Sequence, residues 1–451
     1  MNKTDNLSTK NLLLVSLMLF SLFFGAGNLI FPPFLGQAAG GHTWIAMCGF
    51  FVTAVGFPIL GVIAVAKSGG LHALSKKVHP AFAVVFTVLI YLSIGPCLGI
   101  PRAGSLPFEM AVAPFLPEGL ISNRLALFLY TFVFFSVAYW LCLTPSKLVN
   151  RMGKVLTPTL LTLITCIFVA SLFKPLGGYG TATGEYIKSP LVKGFLDGYL
   201  TMDTIAALNF GIVISLAVRE KGVKGQKAVI NNSIKAGVIA GSLLIFIYSM
   251  LAHLGATSGG RFGATENGAQ TLANIMQYIF GKPGLVLLAF TFTLACLTTC
   301  VGLITSCSQY FVTIIPKVKY ETFVRGLSLS SMILANMGLT KILSVSVPVL
   351  DAIYPIAIVL ILLSMIDGLF GENKTVYCST ILFTGCVSVV YALKGAGLNL
   401  GFVETMFSKL PLYSQGLGWV TPTLVGFCVG LVLKFFKSKV QVGSLDMDKA
   451  R

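Results

Sequence analysis

The chain has 451 residues, of which 55% are hydrophobic and only 10% charged, against about 25% charged in an ordinary soluble domain. Apolar stretches of roughly 20 residues, enough to cross a ~30 Å hydrocarbon slab, recur from end to end, which excludes a soluble enzyme and makes the lipid bilayer the solvent of an all-α integral membrane protein. The net charge of +17 would suit nucleic acid in a soluble protein, but the basic residues sit in connectors between apolar spans, which speaks for membrane topology and for no nucleic-acid partner.

Twelve spans are predicted, at 12–38, 43–66, 80–112, 124–143, 152–173, 195–218, 233–255, 284–311, 322–338, 345–366, 375–393 and 416–436. They make a single transmembrane domain over 1–451, with long connectors only at 174–194, 255–283 and 394–415. Lys3 and Lys10 before an apolar run ending in Gly25-Ala26-Gly27 mimic a cleavable signal; apolar character resumes at once, so the segment reads as an uncleaved first helix. Cytoplasmic N- and C-termini place Lys67, Lys76, Lys77, Arg151, Lys154, Arg219, Lys221 and the basic tail on one side, with the connector carrying Lys174, Lys188 and Lys193 as the main exception. The ten cysteines show no CxxC pair; Cys48, Cys97, Cys142 and Cys296, inside spans, read as small buried hydrophobes.

An unsatisfied backbone group in hydrocarbon costs several kcal/mol, so a helix is interrupted only where protein or water takes over the freed groups. The first span holds Gly25, Gly27, Asn28, Pro32 and Pro33 in mid-membrane and is predicted to unwind near Gly25–Asn28. Close packing on glycine or a plain proline kink would give the same residues. On the third span Arg102 follows Pro96 and Pro101, so this cation lies on a bent helix and must be paired or watered; Glu109, two turns on, is too far for a direct bond. The sixth span carries Asp197-Gly198, then Thr201-Met202-Asp203-Thr204 and Asn209-Phe210-Gly211, a second polar interruption five spans after the first. Such a pair at corresponding positions points to a transporter built from inverted repeats, with half-helix N-termini suited to a carboxylate and half-helix C-termini to an ammonium or cation.

On the seventh span His253 reads as a packed core histidine. The eighth carries Ala295, Thr298 and Thr299; adjacent hydroxyls point about 100° apart, so both reach one ion only from the side facing a partner helix, and bonding to their own i−4 carbonyls is the alternative. Asp351, on the tenth, and Asp203 are candidates to neutralise Arg102 or to carry a coupled proton, or are structural charges. The stretch from Gly61 to Lys67-Ser68 has Ala66 where a phosphate-binding loop needs glycine, so no ATPase is encoded. No metal or catalytic cluster and no cofactor are expected. The reading is a secondary transporter, with a channel or receptor and then a membrane enzyme as weaker alternatives.

The run from Ser21 to Pro33, the Gly99-Ile100-Pro101-Arg102 segment and Asp203 through Gly211 resemble the bacterial branched-chain amino acid:cation symporter family, over essentially the whole chain. The resemblance implies the leucine-transporter-like fold: a 5+5 inverted-repeat core (repeat one about 12–173, repeat two about 195–366), two peripheral helices within 375–436, and discontinuous helices one and six. It implies import of Leu, Ile and Val across the bacterial cytoplasmic membrane by alternating access, with Na+ or H+ as the coupling ion. The sodium site would use carbonyls near Ser21 and Phe24, the Ala295 carbonyl and the Thr298 and Thr299 hydroxyls. The substrate carboxylate would rest on N–H groups around Gly25, Ala26 and Gly27, and the ammonium on carbonyls of Phe23 or Phe24 and of Thr204 or Ile205. Ala207 stands where some relatives have a hydroxyl, Phe210 would help form the aliphatic pocket, and Asn28 matches a residue that in some relatives binds a second ion, for which no partner on the seventh span is found. At only ~0.8 kcal/mol per methylene, such a pocket would discriminate weakly among Leu, Ile and Val.

Overall fold

The computed structural model describes residues 6–113, 116, 122–144, 152–265 and 267–449, which are helical with no strand among them. A chain this apolar must satisfy its backbone within each segment, and the helix does so. In chain order the helices are α1 Thr9–Phe23, α2 Ala26–Ala39, α3 Thr43–Phe51, α4 Phe57–Ser68, α5 Leu71–Lys76, α6 Pro80–Leu92, α7 Gly99–Ala111, α8 Asn123–Cys142, α9 Thr157–Phe173 and α10 Pro190–Asp197. Then come α11 Asp203–Glu220, α12 Gln226–Phe262, α13 Gly268–Phe280, α14 Lys282–Ile314, α15 Tyr320–Ala335, α16 Leu339–Phe370, α17 Lys374–Gly395, α18 Phe402–Phe407 and α19 Val420–Lys449.

Among the described residues eight helical stretches are long and apolar enough to cross a membrane, nine if the bent pair Pro190–Thr201 and Asp203–Glu220 counts as one span. The protein is therefore a multi-pass membrane protein. The expected spans 12–38 and 43–66 are occupied by α1 with α2 and by α3 with α4. A break after Phe23 leaves α1 only 15 residues long, and the 42-residue run Gly27–Ser68 is joined by a 3-10 turn at Gly40–His42. The last apolar helix, Val420–Phe436, is likewise short. On α8, Phe132 and Val133 are 53% and 61% exposed; a surface of this kind suits lipid, not water. Of the cysteines read as buried, Cys142 and Cys296 are, whereas Cys48 and Cys97 are exposed, because the outer face of an apolar helix needs no burial inside protein.

The chain divides into two compact units, Met1–Lys67 with Tyr91–Leu343, and Ser68–Ile90 with Ser344–Arg451. In the first, helices meet backbone to backbone through small residues. A Cβ on Gly36 of α2 would collide with the Ala252 carbonyl of α12, and one on Gly255 of α12 with the Pro33 carbonyl of α2. The same reciprocal contact joins α3 and α10, through Gly49 against Leu191 and Gly194 against Ala46. Helix α6 leads into α7 through a π-helical segment, Ser93–Cys97, where Gly95 leaves helical geometry beside Pro96. In the second unit α17 and α19 pack through Gly426 and Gly430, with the Thr384 and Thr423 hydroxyls 2.7 Å apart. There Lys77 pairs with the buried Asp367 at 2.7 Å and with Glu372 at 2.9 Å.

Candidate functional site

Between α1 and α2 the chain leaves helical geometry at Phe24 (φ −75°, ψ 85°) and Gly25 (φ −108°, ψ −162°). The Gly25 N–H donates to the Phe23 carbonyl at 2.8 Å and to Asn28 Oδ1 at 3.0 Å, so the Asn28 side chain secures the start of α2. The first-turn N–H groups of Ala26 and Gly27 have no acceptor within their own helix and carry the partial positive charge of a helix N-terminus. Space dictates glycine here. A Cβ on Gly25 would stand 2.9 Å from Thr299 Oγ1, and one on Gly27 3.3 Å from an Arg102 guanidinium nitrogen.

A second break follows the 3-10 turn Gly198–Thr201, where Met202 takes the left-handed conformation (φ 68°, ψ 8°) and α11 starts at Asp203. The two halves are bent by 45°. The break falls earlier than Thr204 and Ile205, which lie inside α11, where the helix engages their carbonyls. The carbonyls that the break presents belong to the 3-10 turn; that of Leu200 accepts from both Arg102 terminal nitrogens at 3.4 Å.

A cavity of about 50 Å³ lies between the two breaks. Phe23, Gly25, Gly27 and Asn28 line it from the first break, Thr201, Met202 and Asp203 from the second, and Arg102 and Thr299 from α7 and α14. Leu22, Ile94, Ala103, Ala206 and Leu303 give it aliphatic walls. Arg102 is 7% exposed, donates to Met202 Sδ at 3.3 Å and lies 5.6 Å from the Phe31 ring centre. Asp203, 2% exposed, accepts from Asn28 Nδ2 at 2.5 Å and from the Tyr248 hydroxyl at 3.3 Å, and Asn28 Nδ2 also donates to Tyr248. This buried network ties α2, α11 and α12 together.

Other residues singled out by sequence sit behind the cavity wall. Phe24 stacks on Phe20 at 5.1 Å and on Tyr248 at 6.1 Å, and Phe210 meets Phe23 edge-on at 5.7 Å. Thr204 donates its hydroxyl to the Thr53 carbonyl at 3.0 Å, and Ile205 and Ala207 are fully buried. On α14, Thr298 donates to the Ala295 carbonyl at 2.8 Å, while Thr299 turns to α1 and donates to the Ser21 carbonyl at 3.5 Å. Asp351 belongs to the other compact unit, near Gly395. His253 bonds Tyr179 at 2.9 Å and packs edge-on against Phe168. Among the described residues no group of three His, Cys, Asp or Glu could hold a metal ion. Sequence reasoning missed Tyr248 and the aliphatic walls Leu22, Ile94, Ala103 and Leu303, because a tyrosine or a leucine on an apolar helix carries no local signal, and it named Met202 only within the interrupted run, since methionine does not announce a left-handed turn.

Comparison with known proteins completes the description. A family profile described as "Branched-chain amino acid transport protein" matches residues 8–437. The chain belongs to this family. It is 47% identical to the branched-chain amino acid permease BraB of Bacillus subtilis, over 96% of this chain and 97% of that protein. It is 45% identical to the branched-chain amino acid transport system 2 carrier protein of Pseudomonas aeruginosa, over 94% and 95%. Identity to the branched-chain amino acid permease BrnQ of Escherichia coli K12 is 35%, over 95% and 97%. Members of this family are transporters, not enzymes. A solved structure of MhsT in complex with L-phenylalanine matches 96% of this chain and 98% of its own at a TM-score of 0.48 and 15% identity, too low a likeness to argue from.

Proposed function

We propose that this chain imports leucine, isoleucine and valine across the bacterial cytoplasmic membrane by symport with a cation, sodium, through alternating access. One observation carries this reading: the cavity joins the N-terminus of α2, whose first-turn N–H groups have no acceptor within their own helix, to aliphatic walls, the two surfaces that a branched aliphatic amino acid presents. The substrate carboxylate takes the Ala26 and Gly27 N–H groups. The ammonium takes carbonyls at the end of α1; those of Thr204 and Ile205 are engaged within α11, and those of Gly198, Tyr199 and Leu200 by Thr201, Met202 and Arg102. A water needs ~10–15 Å³ of such space, so a cavity of about 50 Å³ holds only a few; leucine enters when the walls part. That requirement favours a carrier that changes shape over an open channel.

In this reading the coupling sodium sits between α1 and α14, on the Ser21, Phe24 and Ala295 carbonyls and the Thr298 and Thr299 hydroxyls. The reach of Thr299 to Ser21 supports it. Twelve spans, both termini in the cytoplasm, an inverted repeat of 12–173 and 195–366, and peripheral helices within 375–436 belong to the same proposal. The burial of Asp203 beside the cavity favours a second reading, proton coupling. Leucine uptake into proteoliposomes under an imposed sodium gradient, and separately under a proton gradient, tests both. Accumulation with sodium alone supports the Thr299 site; accumulation with protons alone moves coupling to Asp203 or Asp351; none under either gradient, in folded protein, rejects leucine symport.

A further inference from the structure

We infer that Arg102 and Asp203 together clamp the zwitterionic end of the substrate, Arg102 taking the α-carboxylate and Asp203 the α-ammonium; this rests on the amino acid transport reading above. An ionised side chain inside a membrane span is costly to keep, and such residues mark substrate or ion pathways. Here two of opposite sign line one small cavity, at 7% and 2% exposure. A free α-amino acid is the ligand whose charges match both while leaving the net charge of the site unchanged.

The placement of the two charges gives the ligand its direction. The guanidinium adjoins Gly27, at 3.3 Å from where a Cβ would stand, beside the first-turn N–H groups of α2, so both sources of positive potential serve the same end of the ligand. The Leu200 carbonyl at 3.4 Å and the Met202 sulphur at 3.3 Å are neutral acceptors, and a substrate carboxylate offers the guanidinium charge-assisted bonds of ~2.7–2.9 Å. The planar fork of five donors suits two carboxylate oxygens at once, which a lysine cannot reproduce. Asp203 is oriented by Asn28 and Tyr248, and the cavity-lining Thr201 also hydrogen-bonds its carboxylate; in the clamp the α-ammonium joins these donors from the cavity. The clamp makes the α-carboxylate and α-ammonium obligatory, while the aliphatic walls stay tolerant of chain shape.

Binding of tritiated leucine to the full chain in nanodiscs at saturating sodium tests this, with leucinamide and 4-methylpentanoate as competitors that lack one charge each. In the unaltered protein neither competitor displaces leucine at a hundredfold excess. Arg102→Lys weakens leucine binding about tenfold and Arg102→Gln about a hundredfold, the scale of truncating one partner of a buried charged contact. The double variant Arg102→Gln/Asp203→Asn leaves no buried charge unmatched; it stays folded, with a thermal midpoint lowered only by the lost Arg102 contacts to Met202 and Leu200, and still fails to bind. Restored binding in that double variant overturns the clamp by showing that Arg102 only balances Asp203. Displacement by leucinamide as effective as by leucine also overturns it, without any variant having to fold. Absence of leucine binding in the unaltered protein rejects the transport reading itself, and the clamp with it.

Discussion

The two breaks that frame the cavity are made by opposite means. At the first, Gly25 adopts extended geometry open to any residue, and what excludes a side chain is the Thr299 hydroxyl 2.9 Å from the missing Cβ. At the second, the residue that turns the chain is not a glycine: Met202, 5% exposed, holds a left-handed conformation that costs a non-glycine residue of order 1–3 kcal/mol. Its sulphur accepts from Arg102, and the turn before it holds the same guanidinium through Leu200. The first break is thus a matter of space, and the second a matter of tertiary contacts that sustain local strain.

The contrast can be broken most severely at the first. Gly25→Val, which pushes carbon into the Thr299 hydroxyl, is expected to cut leucine uptake into proteoliposomes by about a hundredfold or more, on the scale of a misplaced reacting group, with the thermal midpoint reporting whether the fold survives. If valine is tolerated with full uptake, the space argument is wrong. Thr299→Val keeps the volume and removes the oxygen; the sodium concentration for half-maximal uptake should rise about tenfold, equivalent to losing a buried hydrogen-bonding partner. An unchanged sodium dependence would reject the ion site between α1 and α14.

The second break is sharpened by a pair of substitutions at one position. Met202→Val, a β-branched residue in a left-handed conformation, should cost about 1–2 kcal/mol more stability than Met202→Gly, which relieves the strain while losing the sulphur contact. Equal thermal midpoints for the two would mean that the backbone at Met202 is not strained. The smallest effect is expected from Tyr248→Phe, which removes one hydroxyl from the network joining the breaks and should cost about 1 kcal/mol, read as a shift in thermal midpoint.

The same contrast explains what could be read in advance. Gly25, Gly27 and Asn28 stand out because small and amide residues are rare in mid-membrane, and Arg102 and Asp203 because charges there are rarer still; all five line the cavity. The run Thr201-Met202-Asp203-Thr204 marks the second interruption, but not that the turn occurs at Met202, which is held by a residue about a hundred positions away. Tyr248 shows the same limit, as its role exists only once α12 lies against α2 and α11. Within 12–66 hydropathy marked two spans and the glycines an interruption near Gly25–Asn28, but nothing local revealed that a short 3-10 turn, Gly40–His42, joins the spans.

The glycine contacts of the first unit have a mechanical corollary. With backbone against backbone at Gly36 and Gly255, α2 has no clearance to slide or roll on α12, and Gly49 with Gly194 locks α10 to α3 in the same way. One half of each interrupted helix is thereby welded to a neighbour, and compliance is left to the short links, Phe24–Gly25 and Met202. Spin labels on α2 and α12 should keep a fixed separation through the transport cycle, while a pair straddling Phe24–Gly25 should not, which would make those two links the joints of the machine and the paired helices its levers.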